Sequence, residues 1–331
     1  MTPLVHTSDS DPGITRKGAG RGFYYLDSCG EKVTAPDVLD RIAGLAIPPA
    51  YRQVWICPRE NGHLQATGRD SRKRKQYRYH PLWQERQKRE KFERLPTVGE
   101  GLPRLRRAVR DELQKDGLRK RRVVAAAVRL IDRLGHRVGS ERYLEENGTR
   151  GITTLGEDDV DVQSASGDLH ISYVGKGGRE IESNLNDPLV AGVADSCYEL
   201  PGKRLFCYRG NDGNFHPIDS GDVNAFLSEV YDEEVTAKDL RTWRASVAAM
   251  DFLRRIKKPA DRESEVRDAI RQAASEIQNR YMTCRKHYVH PLIETAYRRS
   301  GRNGFSRRRP RPSAELQKAE RLLLQLFDRC S

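Results

Sequence analysis

The sequence predicts an α+β protein with a small sheet-rich N-terminal domain and a mainly α-helical domain that contains a three-stranded β-meander. Three observations carry that prediction. Residues 1–80 hold short β-prone runs separated by turn residues; apolar residues take helical spacing after about residue 97; and residues 159–183 return to strand-like runs broken by glycine turns. The implied organisation is a sheet domain at 1–80, a connector at 81–96 and a larger domain at 97–331.

Each element has a local reason. "GFYYLDSCGEKVT" (22–34) is apolar and β-prone around a Ser-Cys-Gly turn. "APDVLDRIAGLAIPPAY" (35–51) predicts a short helix stopped by Pro48-Pro49. "QVWICPRENGHLQATGRD" (53–70) places Asn61-Gly62 between two strand-like runs, a hairpin signal. "KQYRYH" (75–80) alternates as an edge strand does. "PLWQERQKREKFERLP" (81–96) is charged and helix-prone with few apolar anchors, and reads as the connector. Residues 102–139 predict two helices broken near Gly117, the second with Val123, Ala127, Leu130 and Leu134 on one stripe. In the meander the turns are Ser166-Gly167-Asp168 and Gly175-Lys176-Gly177-Gly178. Residues 236–259 predict a helix opened by a capping box, Thr236 with Asp239, and followed by Pro259. Residues 313–330 predict an amphipathic helix whose stripe, Leu316, Ala319, Leu323 and Phe327, faces the core.

Composition narrows the function. The 331 residues exceed what one core usually supports, which fits two domains. Sixty Lys+Arg against 47 Asp+Glu give a net charge of +13, and such a balance points to a polyanionic partner, nucleic acid above all. The six cysteines, Cys29, Cys57, Cys197, Cys207, Cys284 and Cys330, form no C-x-x-C pair and no zinc-spaced cluster, so no metal is expected. The N-terminal residues lack the pattern of a signal peptide, and no stretch approaches about 18 apolar residues. A reduced, cytoplasmic protein with no membrane segment is expected.

One segment poses the chemical question. "MTCRKHYVHP" (282–291) sets Tyr288 behind a histidine and two cations. A tyrosine that attacks a phosphodiester needs fixed cations for the charge on the non-bridging oxygens, a proton donor for the departing sugar oxygen, and help in ionising a hydroxyl of pKa about 10. Arginine and lysine can meet these needs without a metal. Arg137 follows a helix and precedes Gly139, where its fork could reach a phosphate. Arg241 lies near the start of the 236–259 helix, on a side shared with Ala245 and Ala248, where small residues would let a ligand approach. Lys176 sits among three glycines in a tight turn, able to swing. Taken singly, an arginine is more often a surface residue, Lys176 a solvated turn residue and Tyr288 a half-buried packing aromatic. No spacing rule joins four distant residues into one site.

The same segments resemble those of the type IB DNA topoisomerases, in their bacterial and poxvirus branch. "RVGSERYLEENGTRGITTL" (137–155) is similar to the family's R-x-G-x-x-R-Y-L-x-E-N-x-T-x-G-x-x-T-L run, "YVGKGG" (173–178) to its V-G-K turn, and "KDLRTW" (238–243) to its K-D-L-R-T helix start. Asn279 stands nine residues before Tyr288, the family's interval between its last phosphate-contacting residue and its nucleophile. "IPPAY" and "VWICPRENGHLQATGRDSRKRKQYRYH" resemble its DNA-facing domain, and the likeness runs from about residue 12 to 325.

The resemblance implies that Arg137 and Arg241 hold the non-bridging oxygens, with Asn279 as a neutral donor. Lys176 would protonate the leaving 5′-oxygen, and Tyr288 would form a 3′-phosphotyrosyl link. Lys238, Tyr143, Gln76, Tyr77 and Tyr79 would contact DNA. It further implies relaxation of supercoils of either sign by a monomer on duplex DNA, with no cofactor, nucleotide or metal. The two domains would close as a clamp with basic faces at 72–80 and 306–312. The chain departs from the family pattern at Asn279, where poxvirus enzymes place histidine and bacterial ones asparagine, at Gln278, where glycine is usual, at Arg280-Tyr281, at His287, where a small residue is common, and at Ser140, in place of a basic residue. A tyrosine recombinase, or a duplex DNA-binding protein without catalysis, stays open at this level. The recombinase is disfavoured because Lys238 occupies the neighbourhood where those enzymes usually carry histidine.

Overall fold

The computed structural model describes residues 3–20, 22–198, 200, 204–257, 259–305 and 313–329. The chain forms two compact units, Met1–Lys91 and Phe92–Ser331. Both halves of the predicted α+β class are present.

The first unit is a five-stranded antiparallel sheet with one helix. Its elements are β1 (Ile14–Ala19), β2 (Gly22–Leu26), α1 (Pro36–Gly44), β3 (Arg52–Ile56), β4 (Leu64–Arg69) and β5 (Lys75–Tyr79), in the sheet order β2-β1-β3-β4-β5. Ile14, Ile42, Val54, Ile56 and Ala66 form its core. β5 is an edge strand, as its alternation predicts. Helix α1 ends at Gly44, before the proline pair, because Ala46 turns to a positive φ of 47°. The Asn-Gly signal also works differently from the prediction. Gly62 does not take positive φ, and the loop between β3 and β4 runs over seven residues, 57–63. Its glycine is required for close approach instead: a Cβ there would lie 2.6 Å from Cys57 Sγ and 3.1 Å from Thr7 Oγ1. The N-terminal segment uses that space, with Val5 N donating to Asn61 O (2.9 Å) and His63 N to Val5 O (2.8 Å).

Helix α2 (Pro81–Glu93) occupies most of the stretch read as a connector. The second unit then begins with α3 (Leu95–Leu113), α4 (Lys120–Leu134) and α5 (Glu141–Asn147). The meander follows as β6 (Val160–Gln163), β7 (Asp168–Gly175) and β8 (Arg179–Asn186), an antiparallel sheet in that order. Next come α6 (Pro188–Tyr198), a small ladder of β9 (Cys207–Arg209) and β10 (Phe215–Pro217), and α7 (Ser220–Tyr231). The chain closes with α8 (Ala237–Arg255), α9 (Arg262–Glu276), α10 (Tyr281–His287), α11 (Pro291–Ser300) and α12 (Lys318–Asp328). Among the described residues no helix is long and apolar enough to cross a membrane. The basic run 306–312 lies outside the described residues.

Helix α4 is the axis of this unit. Its buried surface includes Val123 through Val128, Leu130 and Ile131, far wider than one stripe. The reason is that α3, α6, α7 and α8 all pack around it. Helix α12 begins at Lys318, five residues later than the predicted start. Ser313 Oγ accepts from Glu315 N and Leu316 N and holds the preceding turn out of the helix. Ala319, Leu323 and Phe327 are buried as the stripe predicts.

A buried ion cluster fixes α12 to α3 and α4. Arg106 donates to Asp132 through Nε (2.9 Å) and Nη2 (3.0 Å), and to Glu320 through Nη1 (3.0 Å) and Nη2 (2.7 Å). Trp243 Nε1 donates to the same Glu320 (3.3 Å), which brings α8 into the cluster. Removing the guanidinium would leave two buried carboxylates facing each other without a counter-charge. Arg106→Ala is therefore expected to cost about 3–5 kcal/mol in urea unfolding. Arg110→Ala, which breaks a half-exposed pair with Glu315, should cost less than about 1 kcal/mol. Equal losses for the two would contradict the buried-cluster account.

Candidate active site

The site is built where two helices end and a third passes beneath them. Helix α4 stops because Gly135 adopts a left-handed conformation, φ 68°, with its N–H on Ile131 O (2.9 Å). The chain then runs extended through Arg137 to Gly139, φ 105°. That stretch is clamped edge-on against residues 151–153: Ile152 N donates to Arg137 O (2.9 Å) and Thr153 N to Val138 O (2.7 Å). A Cβ on Gly151 would lie 2.6 Å from the Gly139 backbone, so the two loops meet main chain to main chain. The backbone of Arg137 is thereby fixed.

Arg241 comes from α8 and is 4% exposed. The expectation that it lies on a side left open by small residues needs correction. Leu240, Trp243, Ala245 and Val247 are all buried with it, so α8 is enclosed nearly all round and Ala245 serves helix packing. The guanidinium is held by main-chain carbonyls, Nε on Gly135 O (2.7 Å) and Nη2 on Ile277 O (2.9 Å). Its Nη1 points to Tyr288 Oη at 3.3 Å, and its Cζ lies 5.1 Å from the Tyr288 ring centroid.

Tyr288 terminates the two-turn helix α10, with its N–H on Cys284 O (2.8 Å). It is half-buried, and its side chain packs on the main core. Helix α8 anchors its backbone a second time. Ser246 Oγ donates to Tyr288 O (3.1 Å) and accepts from His290 N (3.0 Å). A single rigid helix thus sets both the position of the tyrosine main chain and the cation at its hydroxyl.

Arg137 donates through Nη1 to Gln278 O at 3.3 Å. Burial, and then the positive charge of Arg241, press its pKa downward. Neither arginine pairs with a carboxylate among the described residues. Two adjacent cations without a counter-charge make a site that favours an anion. Asn279, next to Gln278, has its N–H on Ala274 O (2.7 Å), and its Oδ1 accepts from Arg280 N (2.9 Å). Its Nδ2 hydrogens have no protein acceptor among the described residues.

Beneath the arginines lies His136, buried to 1%. Its Nε2 is 2.8 Å from Ser183 Oγ and its Nδ1 3.2 Å from Tyr173 Oη. Burial, with added repulsion from Arg241 and Arg137, pushes its pKa down to about 4, so the ring is neutral at ordinary pH. Burial also raises the Tyr173 phenol, against the pull of the same arginines.

Lys176 stands apart. No hydrogen bond or ion pair joins it to Arg137, Arg241 or Tyr288; its Nζ lies over the Tyr143 ring, 4.9 Å from the centroid. It occupies the exposed tip between β7 and β8, where Gly177 and Gly178 both take positive φ. Tyr143 is an exposed residue of α5. Lys238 is exposed in the first turn of α8, one turn before Arg241. Gln76, Tyr77 and Tyr79 belong to β5 of the first unit. There the two tyrosine rings stack 6.0 Å apart at 9°, Lys75 Nζ lies 5.5 Å from the Tyr77 ring, and Gln76 donates to Asp70 (3.1 Å).

Comparison with known proteins supplies the family. Residues 73–292 match the family described as eukaryotic DNA topoisomerase I, catalytic core, and residues 22–70 match the bacterial DNA topoisomerase IB N-terminal domain. DNA topoisomerase 1B of Acanthamoeba polyphaga mimivirus is 31% identical over 290 residues, 84% of this chain and 85% of the viral protein. The chain belongs to the type IB DNA topoisomerases. Longer relatives align over a part of themselves. DNA topoisomerase 1 of Mycosarcoma maydis is 28% identical over half of this chain and 18% of its own length, and that of Daucus carota 30% over 51% and 20%.

Within this topoisomerase, the departures from the family pattern acquire physical meaning. Gln278 takes a left-handed φ of 51°, which explains why glycine suits the position and shows that this chain holds a side chain there under strain. His287 is exposed at the end of α10, and Arg280 is exposed at its start. Ser140 is the residue before α5. The sequence reading missed His136, Tyr173, Ser183 and Ser246. His136 could have been noticed as the neighbour of Arg137 inside the longest motif. Arg179 was also missed; it opens β8 and lies close enough to Arg137 to add to the pressure on its charge.

A pH dependence follows. His136 and His290 are both held near pKa 4 by burial, against an ordinary value of 6.5. The unfolded chain therefore binds more protons between those values. Stability is fully present above about pH 6.5 and lost as pH falls toward 4, by up to roughly 3 kcal/mol per histidine. In urea unfolding across that range, these two histidines should contribute about two protons to the pH slope of stability. His136→Asn should lower the slope by about one proton; an unchanged slope would contradict the buried neutral imidazole.

Proposed function

We propose that this topoisomerase relaxes positive and negative supercoils by cutting one DNA strand through Tyr288, holding it as a 3′-phosphotyrosyl ester, and rejoining it without nucleotide or metal. The reading is supported chiefly by one observation. Arg241, buried and held by two carbonyls, directs its remaining nitrogen at Tyr288 Oη, with the Arg137 charge beside it.

In the cutting step Tyr288 Oη gives up its proton to water and bonds to the scissile phosphorus. The bond from phosphorus to the 5′-oxygen breaks, and that oxygen takes a proton from Lys176. Negative charge grows on the two non-bridging oxygens in the transition state. Arg241 Nη1 and the free N–H groups of Arg137 meet it there, with the Asn279 amide as a neutral donor. The cations are in place before DNA arrives, so they need no reorganisation during the reaction. The phosphotyrosyl bond keeps the energy of the ester it replaces. Attack by the 5′-hydroxyl, with Lys176 now taking the proton, restores the strand.

Lys176 has to leave the Tyr143 ring to serve as donor, and the glycines beside it give the tip that freedom. Tyr143 is then free to meet a phosphate. Lys238 extends the basic surface at the start of α8. On the first unit, the stacked Tyr77–Tyr79 pair with Lys75 is a DNA-facing strip on one face of β5, and Gln76, on the other face and bonded to Asp70, would meet DNA from the strand edge. Phosphate contacts of this kind make affinity fall steeply with salt through counterion release.

Three outcomes are expected. Plasmid lacking any special site should be relaxed in EDTA without nucleotide, with supercoils of either sign consumed; Tyr288→Phe should abolish both relaxation and the protease-sensitive block on the 3′ end. A parent protein that binds duplex but never forms the adduct would favour a non-catalytic role. Lys176→Ala should slow single-turnover cutting by about 10²–10⁴ on an ordinary substrate and far less on one with a bridging 5′-thiolate. Equal losses on both substrates would remove Lys176 from the donor role.

A further inference from the structure

The two arginines are aimed by carbonyls from two separate loops. Gly135 O and Ile277 O hold Arg241, and Gln278 O holds Arg137. The register of loop 135–137 against loop 277–278 therefore decides where both guanidinium groups point. A side-chain junction ties these loops together. Ser183 Oγ lies 2.7 Å from Glu182 O and has two further partners from the two loops. Those are His136 Nε2 at 2.8 Å and the Gln278 amide nitrogen at 3.2 Å. On the other side of the imidazole, Nδ1 lies 3.2 Å from Tyr173 Oη, so the ring has a hydrogen-bond partner at each nitrogen. The Gln278 amide also lies 3.2 Å from His136 Nε2.

Gln278 reaches this junction only by accepting a conformation that suits glycine, φ 51°. A side chain kept in such a conformation at the edge of a reaction site needs a compensating interaction, and the junction is the interaction present.

We infer that Gln278 and Ser183 are positioning residues: through His136 they lock the two loops in register and so set the aim of Arg137 and Arg241 on the scissile phosphate. The inference rests on the proposed phosphotyrosyl chemistry and deepens it. Neither residue touches DNA in this account. Their effect passes through Gln278 O, Gly135 O and Ile277 O to the arginines, in the second unit alone.

The test separates aim from stability and from affinity. Gln278→Gly removes the side chain at a position where glycine is at ease, so the variant should fold and melt within a few degrees of the parent. Ser183→Ala removes the shared hydroxyl with little loss of volume. Adduct formation on a duplex that cannot religate is measured in single turnover at saturating DNA, and duplex affinity is measured separately in the Tyr288→Phe background. Each single variant is expected to slow adduct formation by about 10-fold or more with affinity changed less than about twofold, since small misplacement of a catalytic group is costly. Because both act through one junction, the double variant should be no slower than about the worse single. Parental rates for Gln278→Gly, or a double variant whose loss is the product of the singles, would overturn the inference. A parent that forms no adduct at all would instead remove the proposed function, so the two failures are distinguishable.

Discussion

The arrangement depends on one buried guanidinium. Arg241 is enclosed by the core of the second unit, and among the described residues no carboxylate pairs with it. Main-chain carbonyls of Gly135 and Ile277 take two of its nitrogens, and what remains faces Tyr288. A buried charge solvated by fixed dipoles, without a partner of opposite sign, keeps its field for whatever approaches from outside. Both carbonyls come from the ends of helices. The exits of α4 and α9 thus shape the candidate site as well as the fold.

The rest of the second unit works to hold those exits still. Helix α8 supplies Arg241 and, five residues on, Ser246, which takes the backbone of Tyr288 and His290. Helix α12 is tied to α3 and α4 through Arg106, Asp132 and Glu320, and Trp243 joins α8 to the same cluster. The glycine contact between residues 139 and 151 fixes the Arg137 strand by leaving no room for a side chain. Neutral His136 fills the space beneath two cations without adding a third charge. Lys176 is the exception, an ammonium on a glycine-flanked tip resting on an aromatic face.

Much of the fold could be read in the residues. The meander at 160–186, helix α8 with its Thr236–Asp239 box and the edge strand β5 follow from alternation, capping and turn chemistry, which act within a few residues. The readings that shifted are those in which a distant segment intervenes. Gly62 is set by residues 5–7, α12 starts late because Ser313 captures two N–H groups, and the Ala245 face of α8 is closed by helices far along the chain. The candidate residues were legible as types and motifs, through the family run at 137–155 and the helix start at 238–243. Their mutual placement was not, because no local rule links positions more than a hundred residues apart.

The sequence by itself determined the class of fold, the basic character and the identity of the groups able to manage phosphate charge. Those properties reside in single residues and short spacings. Only the tertiary structure decided that Arg241 meets Tyr288, that Gln278 aims Arg137 by its carbonyl, and that Lys176 rests on Tyr143. Such contacts arise when separate helix ends are packed against one core, and the packing depends on the shape of the whole unit.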